Sequence, residues 1–291
     1  MDYYSFRRFV LGSPVLGTLI SQVARPIRSI LQAELEYMFP IFTINSGGSP
    51  SRRGKMMVSC INETIPRLAD LGLALDTGQV EVHTTKSFVE ELGHEVDTNS
   101  RLRDLFNYYG SDKGSTHDYF QIYEAMLGSM GAVSALLEIG LGSQNSNILS
   151  NMGPLGHPGA SVRAFRDFLP NALIFGADVD SKMLFQEERI RTFEVDQTDR
   201  KSLKLLAERL PINVEFDIVI DDGLHAPHAN IATLEFGLRL IRAEGWVVIE
   251  DIALAARPVW NLVGEMLPKT RYRSYLIESK ASLVFAVQRI A

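Results

Sequence analysis

Residues 216–252 read FDIVIDDGLHAPHANIATLEFGLRLIRAEGWVVIEDI, and their pattern decides the fold. Asp217-Ile218-Val219-Ile220 is a β-branched run that stops at Asp221-Asp222-Gly223. Trp246-Val247-Val248-Ile249 is a second run, and it stops at Glu250-Asp251. Between them, Ile231, Leu234, Leu238 and Ile241 recur at helical spacing, so the stretch predicts a strand, a helix over 229–242 and a second strand. A right-handed crossover makes the two strands parallel and brings both carboxylate pairs to the carboxyl edge of a sheet, where open α/β sheets bind ligands. Acids gathered there repel one another unless a cation or a proton intervenes, which points to a hard metal ion such as Mg2+.

Upstream, residues 135–139 predict a buried strand, followed by Gly140-Leu141-Gly142 and the polar turn Ser143-Gln144-Asn145. Glycines let backbone N–H groups approach a ligand, and an acid near the strand end accepts from a ligand amine or hydroxyl, so Glu138, Gly140 and Gly142 are candidates for binding. A dinucleotide fits poorly: the place of a third glycine is taken by Asn145, and the next strand-ending acid, Asp178, lies 36 residues beyond Gly142. Residues 147–159, with Pro154, Pro158 and three glycines, predict a long loop over the same edge, a candidate substrate lid. Beyond it the pattern predicts a helix over 162–169, a strand over 172–177 ending in Asp178-Val179-Asp180, and a helix over 181–188. A strand over 191–195 ending in Asp196-Gln197 and a helix over 201–210 follow. A helix over 258–266 and strands over 273–277 and 282–289 close the chain.

Between Gly110 and Tyr119 the chain turns and enters a helix with Phe120, Tyr123 and Met126 on one side. An N-cap and a solvated turn account for Ser115, Thr116 and Asp118. They account less well for Lys113 and His117.

The 291 residues, 46% of them hydrophobic, suit one large domain or a domain plus an arm. A formal net charge of -6 argues against duplex nucleic acid as the main partner. Cys60 alone excludes an internal disulfide framework and fits a reducing cytoplasm. No apolar run reaches the ~20 residues of a membrane span. The run 9–20 contains Gly12, Pro14 and Gly17 and reads as uncleaved. Residues 1–100 are expected to form a helical arm or cap, with a polar, basic loop over 46–55, and residues 101–291 the α/β domain. Arg7, Arg8, Arg25 and Arg28 among apolar residues suit peripheral membrane contact or self-association, with a homo-oligomer favoured.

The succession LLEIGLGS, FGADVD, FEVDQTD, FDIVIDDG and WVVIEDI resembles the class I S-adenosylmethionine-dependent methyltransferases. The resemblance covers about 104–291. It implies an α/β Rossmann-like seven-stranded mixed sheet, order 3-2-1-4-5-7-6 with the last strand antiparallel and helices on both faces. DDGLH followed by WVVIED is similar to the metal-dependent sugar O-methyltransferases of the mycinamicin and tetracenomycin-sugar group, which also carry a segment like Gly110–Tyr119. Ser111 stands where that group has Thr, and Leu224 where Ser is commoner. The resemblance implies S-adenosylmethionine bound across Glu138, Gly140, Gly142, Asp178, Asp196 and Gln197, with Lys113 at its carboxylate. It further implies Mg2+ on Asp222, Glu250 and Asp251, and His225 as the base that takes a proton from a sugar hydroxyl.

Two other readings compete. His225 and His228 beside Asp222 also suit a metal-dependent hydrolase or hydroxylase, and a nonenzymatic cofactor-binding module would share the fold.

Overall fold

A computed structural model describes residues 33–42, 50–74, 80–96, 99–212, 214–280 and 282–291. The run 9–20, Arg7, Arg8, Arg25, Arg28 and residues 46–49 of the expected loop lie outside the described residues. By its internal contacts the chain divides into two compact units, Met1–Leu71 and Gly72–Ala291. Helix α1, Pro50–Ala74, begins inside the stretch expected to be a basic loop.

The larger unit is built on one mixed sheet, described from its strands. These are β1 (Val82–Thr84), β2 (Ala135–Ile139), β3 (Leu173–Asp178), β4 (Gln186–Glu187), β5 (Ile190–Glu194), β6 (Phe216–Asp221), β7 (Ile241–Ile252), β8 (Tyr272–Glu278) and β9 (Leu283–Arg289). Their order is β1-β8-β9-β7-β6-β2-β3-β5-β4. Strand β9 runs antiparallel to β7 and β8, while β2, β3, β5, β6 and β7 pair parallel. This is a Rossmann-like α/β fold, with nine strands where seven were expected. The two additional strands are short and sit at the edges: β1 pairs parallel with β8, and β4 pairs antiparallel with β5.

Strands β2 and β6 are buried along their whole length, as parallel strands covered on both faces must be. Side chains alternate between the faces. Leu136, Ile218, Ile220, Trp246 and Val248 pack on one side, and Leu137, Ile139, Val219, Val247 and Ile249 on the other. The first side is covered by α2 (Thr85–Glu91), α3 (Arg101–Tyr109), α4 (Phe120–Ser129) and α5 (Ala160–Phe168), through Phe88, Phe106, Tyr123 and Phe165. The second is covered by α6 (Arg200–Arg209), α7 (Pro227–Gly237) and α8 (Arg257–Met266), through Leu206, Leu234 and Trp260.

Two expected helices are redrawn. Ser181–Met183 is a single 3-10 turn, after which β4 and β5 form a tight hairpin turned by Arg189 at φ 59. Helix α7 stops at Gly237 and β7 starts at Ile241, because Arg242 is drawn to the buried Asp217 at 2.5 Å. Asp217 also accepts from the backbone N–H groups of Ser134 and Ala135 at 2.6 and 2.8 Å, tying the start of β6 to β2.

Candidate active site

The carboxyl ends of β2, β3, β5, β6 and β7 meet at one edge, and the turn after β2 is built from glycine. Gly140 and Gly142 adopt φ 102 and 83, the left-handed region that favours glycine. Asp178, at the end of β3, braces this turn: Oδ2 accepts from Leu141 N at 2.8 Å and Gly142 N at 3.1 Å, and Oδ1 accepts from Asp180 N at 2.8 Å. A cavity of about 340 Å³ runs from Gly140 and Gly142 past Asp178 and Val179 to Asp196 and Gln197. Asp196 is exposed and caps its own turn through Thr198. Gln197 is buried; its amide donates to Asp221 and Thr233 and its carbonyl accepts from Leu224 N, so it fixes the loop that carries the next acids.

A second cavity, about 550 Å³, opens beside the first and is lined by Ser111, Asp112, His157, Ser161, His225 and Asp251. Gly140, Gly142, Leu149, Ser150 and Asp222 line both cavities. The loop over 147–159 therefore contributes to both walls, where the sequence placed a candidate lid.

Beneath Asp222 the structure places Lys113, 1% exposed. Its ammonium donates to Asp222 Oδ2 at 2.6 Å and to Glu250 Oε2, and lies 3.4 Å from Glu138 Oε1. Burial alone would lower the lysine pKa, but Asp222, Glu250 and Glu138 outweigh it and hold the pKa well above the usual value. Burial pushes the Glu138 carboxyl up to about 7 against the pull of Lys113, and holds Glu250 well above the usual carboxylate range. Glu138 also accepts from Ser161 Oγ at 2.7 Å. Lys113 was expected at the cofactor; its ammonium instead gathers three of the acids.

Glu250 and Asp251 are consecutive, yet both serve this edge. The β7–β9 register shifts between Ile249 and Ile252, a bulge centred on the two acids, and Asp251 takes φ 52. A bulge re-aims side chains that a regular strand would send to opposite faces. Glu250 is turned inward, with Oε2 on Lys113 and Oε1 accepting from the Tyr123 hydroxyl. Asp251 Oδ1 accepts from the Tyr119 hydroxyl at 2.6 Å. His117 stacks on Tyr119, and its pKa is raised, chiefly by Asp112.

Asp222, His225 and Asp251 bring ligating atoms within 4.8 Å of one another, the one such cluster among the described residues. His225 Nε2 stands 3.9 Å from Asp222 Oδ1 and 3.9 Å from Asp251 Oδ2, oxygens that carry no hydrogen bond among the described residues. His225, like Asp251, has left-handed backbone, at φ 55. His228 is exposed on α7. Glu138, Asp222 and Glu250 meet Lys113, and Asp251 completes the edge beside Tyr119 and His117. The two open carboxylate oxygens, Asp222 Oδ1 and Asp251 Oδ2, are hard donors of the kind that suits a divalent cation such as Mg2+. Glu250 was expected among the ligands; it lies outside the convergent cluster, although each of its oxygens keeps a second lone pair.

Sequence reasoning noted Tyr119 but counted Tyr123 only among apolar positions. Their spacing of four was the available signal, since it puts both hydroxyls on one side of the chain entering α4. Ser161 and Ser282 gave none.

No family model matches the chain. It is similar to mycinamicin VI 2''-O-methyltransferase of Micromonospora griseorubida, 37% identical over 127 residues, 42% of this chain and 28% of that protein. It is also similar to 8-demethyl-8-alpha-L-rhamnosyl tetracenomycin-C 2'-O-methyltransferase of Streptomyces olivaceus, 29% identical over 155 residues, 53% of this chain and 38% of that protein. The matches thus span little more than a third of these relatives at most. Among solved structures, MycE methyltransferase from the mycinamycin biosynthetic pathway, in complex with Mg, SAH and mycinamycin VI, superposes with a TM-score of 0.51. That likeness is 25% identical and covers 66% of this chain and 54% of that one. The curated relatives are sugar O-methyltransferases, so the resemblance drawn from the sequence holds, and the fold is a Rossmann-like methyltransferase fold.

Proposed function

We propose that this chain transfers the methyl group of S-adenosylmethionine to a hydroxyl of a sugar or glycoside-like acceptor, assisted by a divalent cation such as Mg2+. The observation that carries this reading is Asp222, which lines both cavities and faces Asp251 and His225. The names of the curated relatives and the Mg, SAH and mycinamycin VI of the MycE complex support it.

In this reading Gly140 and Gly142 form the methionine end of the donor site, with Glu138 buried behind them on Lys113 and Ser161, Asp178 its ribose side, and Asp196 with Gln197 its adenine side. Asp222 and Asp251, backed by Glu250, hold the cation; Lys113 keeps those acids in place. A bound divalent ion lowers the pKa of an acceptor hydroxyl. His225 takes the proton as that oxygen attacks the methyl carbon and the S–CH3 bond breaks, leaving S-adenosylhomocysteine; proton uptake is a task suited to imidazole near neutral pH. Residues 1–100 we assign to an arm that caps the substrate side or mediates self-association. No helix among the described residues is long and apolar enough to cross a membrane.

The test is transfer of labelled methyl groups to a panel of glycosides, with and without EDTA. Label on a sugar hydroxyl that disappears with chelation is the expected result. Binding of zinc or iron without binding of SAH would favour a hydrolase or hydroxylase instead.

A further inference from the structure

The bulge at Glu250-Asp251 presents two consecutive acids to one helix, α4, whose N-cap is Tyr119 and whose first turn carries Tyr123. Tyr119 is 1% exposed. Its hydroxyl donates to Asp251 Oδ1 at 2.6 Å and lies 2.7 Å from Ser282 Oγ, which reaches the same carboxylate oxygen at 3.3 Å. Asp251 is therefore anchored through one oxygen only. The terminal torsion of an aspartate is broad, so the carboxylate plane is set by its partners rather than by the side chain itself. The backbone gives no help, because left-handed φ is a sparsely populated state that the surroundings must hold.

We infer that Tyr119 is a positioning residue for the metal centre, fixing Asp251 so that Oδ2 points at Asp222 Oδ1 and His225 Nε2. The inference rests on the metal-assisted reading above. Lys113 acts in the same sense on the opposite side, where its ammonium holds Asp222 Oδ2 and leaves Oδ1 facing the centre. The two open oxygens are thus the ones their partners leave. Tyr119→Phe keeps the ring packed but removes the 2.6 Å bond to Oδ1, leaving only Ser282 Oγ at 3.3 Å and His117 Nδ1 at 3.5 Å from that oxygen. The Asp251 carboxylate then turns, and the two oxygens cease to converge.

The test uses the full chain and Mn2+ as the probe, titrated by electron paramagnetic resonance, with SAH affinity measured separately by calorimetry. Tyr119→Phe is expected to weaken Mn2+ binding roughly 10- to 100-fold, the range seen when outer partners of ligating groups are removed. SAH affinity should stay unchanged, because neither Tyr119 nor Asp251 lines the first cavity. A variant that binds Mn2+ as tightly as wild type overturns the inference. A wild-type chain that binds SAH but no Mn2+ overturns the metal-assisted reading and this inference together, so the two failures are distinct. Should Tyr119→Phe fail to fold, Ser282→Ala loosens the same oxygen; a smaller loss of Mn2+ affinity supports the inference and none overturns it.

Discussion

Gly140 lies against Asp222 so closely that a Cβ on Gly140 would overlap the Asp222 carbonyl oxygen. With φ at 102, alanine there is strained before any collision is counted. Gly140→Ala should therefore push the Asp222 loop outward and damage both cavities at once. The expected outcome is loss of both SAH and Mn2+ binding by calorimetry, with a destabilisation of roughly 1–3 kcal/mol in denaturant unfolding.

Asp178 serves the scaffold before it serves a ligand. Its three backbone donors, Leu141, Gly142 and Asp180, would lose a charged acceptor in Asp178→Ala. Stability should fall by roughly 1.5–3 kcal/mol. SAH affinity should fall as well, since the glycine turn is what Asp178 holds. Unchanged affinity would rule out the ribose contact.

His225→Ala should retain SAH binding and lose roughly 10²–10⁴ in turnover, the span of a missing general base. Full turnover in that variant, or in EDTA, would exclude the mechanism.

The start of β6 offers a pH test away from the site. Burial acts to raise the Asp217 pKa, but the Ala135 and Ser134 N–H groups and Arg242 outweigh it and hold it below the usual value. A carboxyl depressed in the folded state contributes stability that is present above its unfolded pKa and fades as pH falls through its folded one. Asp217→Asn should thus be destabilised at neutral pH, by roughly 1.5–3 kcal/mol. The gap to wild type should begin to close below the ordinary aspartate pKa of 3.8, as read by unfolding midpoints across a pH series.

A chain beginning at residue 72 keeps β1 on β8, whereas one beginning at residue 100 strips it away. Thermal unfolding should show the shorter chain less stable. Light scattering on the longer one should show a reduced oligomeric state if residues 1–71 mediate self-association.

What the sequence revealed and what it hid divide along physical lines. Strands covered on both faces, such as Ile218–Ile220 and Val247–Ile249, are written as unbroken apolar runs, so their acidic ends and the shared edge could be read directly. Edge strands have no such signature: Val82–Thr84 is a strand only because Leu276–Glu278 lies beside it. The bulge at Glu250-Asp251 depends on its register against β9, which local periodicity does not record. Lys113 was expected at the cofactor's carboxylate because nothing local to 110–119 records its burial, and the three acids it meets come from distant segments of the chain.

The left-handed backbone at Asp251 narrows what evolution or an engineer can place there. Asparagine shares aspartate's tolerance of that conformation, whereas most larger side chains resist it. Asp251→Asn therefore offers a decoy of the native centre: its outline is preserved while one formal charge is erased. Such a decoy is the natural bait for trapping an intact acceptor, because whatever still docks has been recognised by shape rather than by turnover.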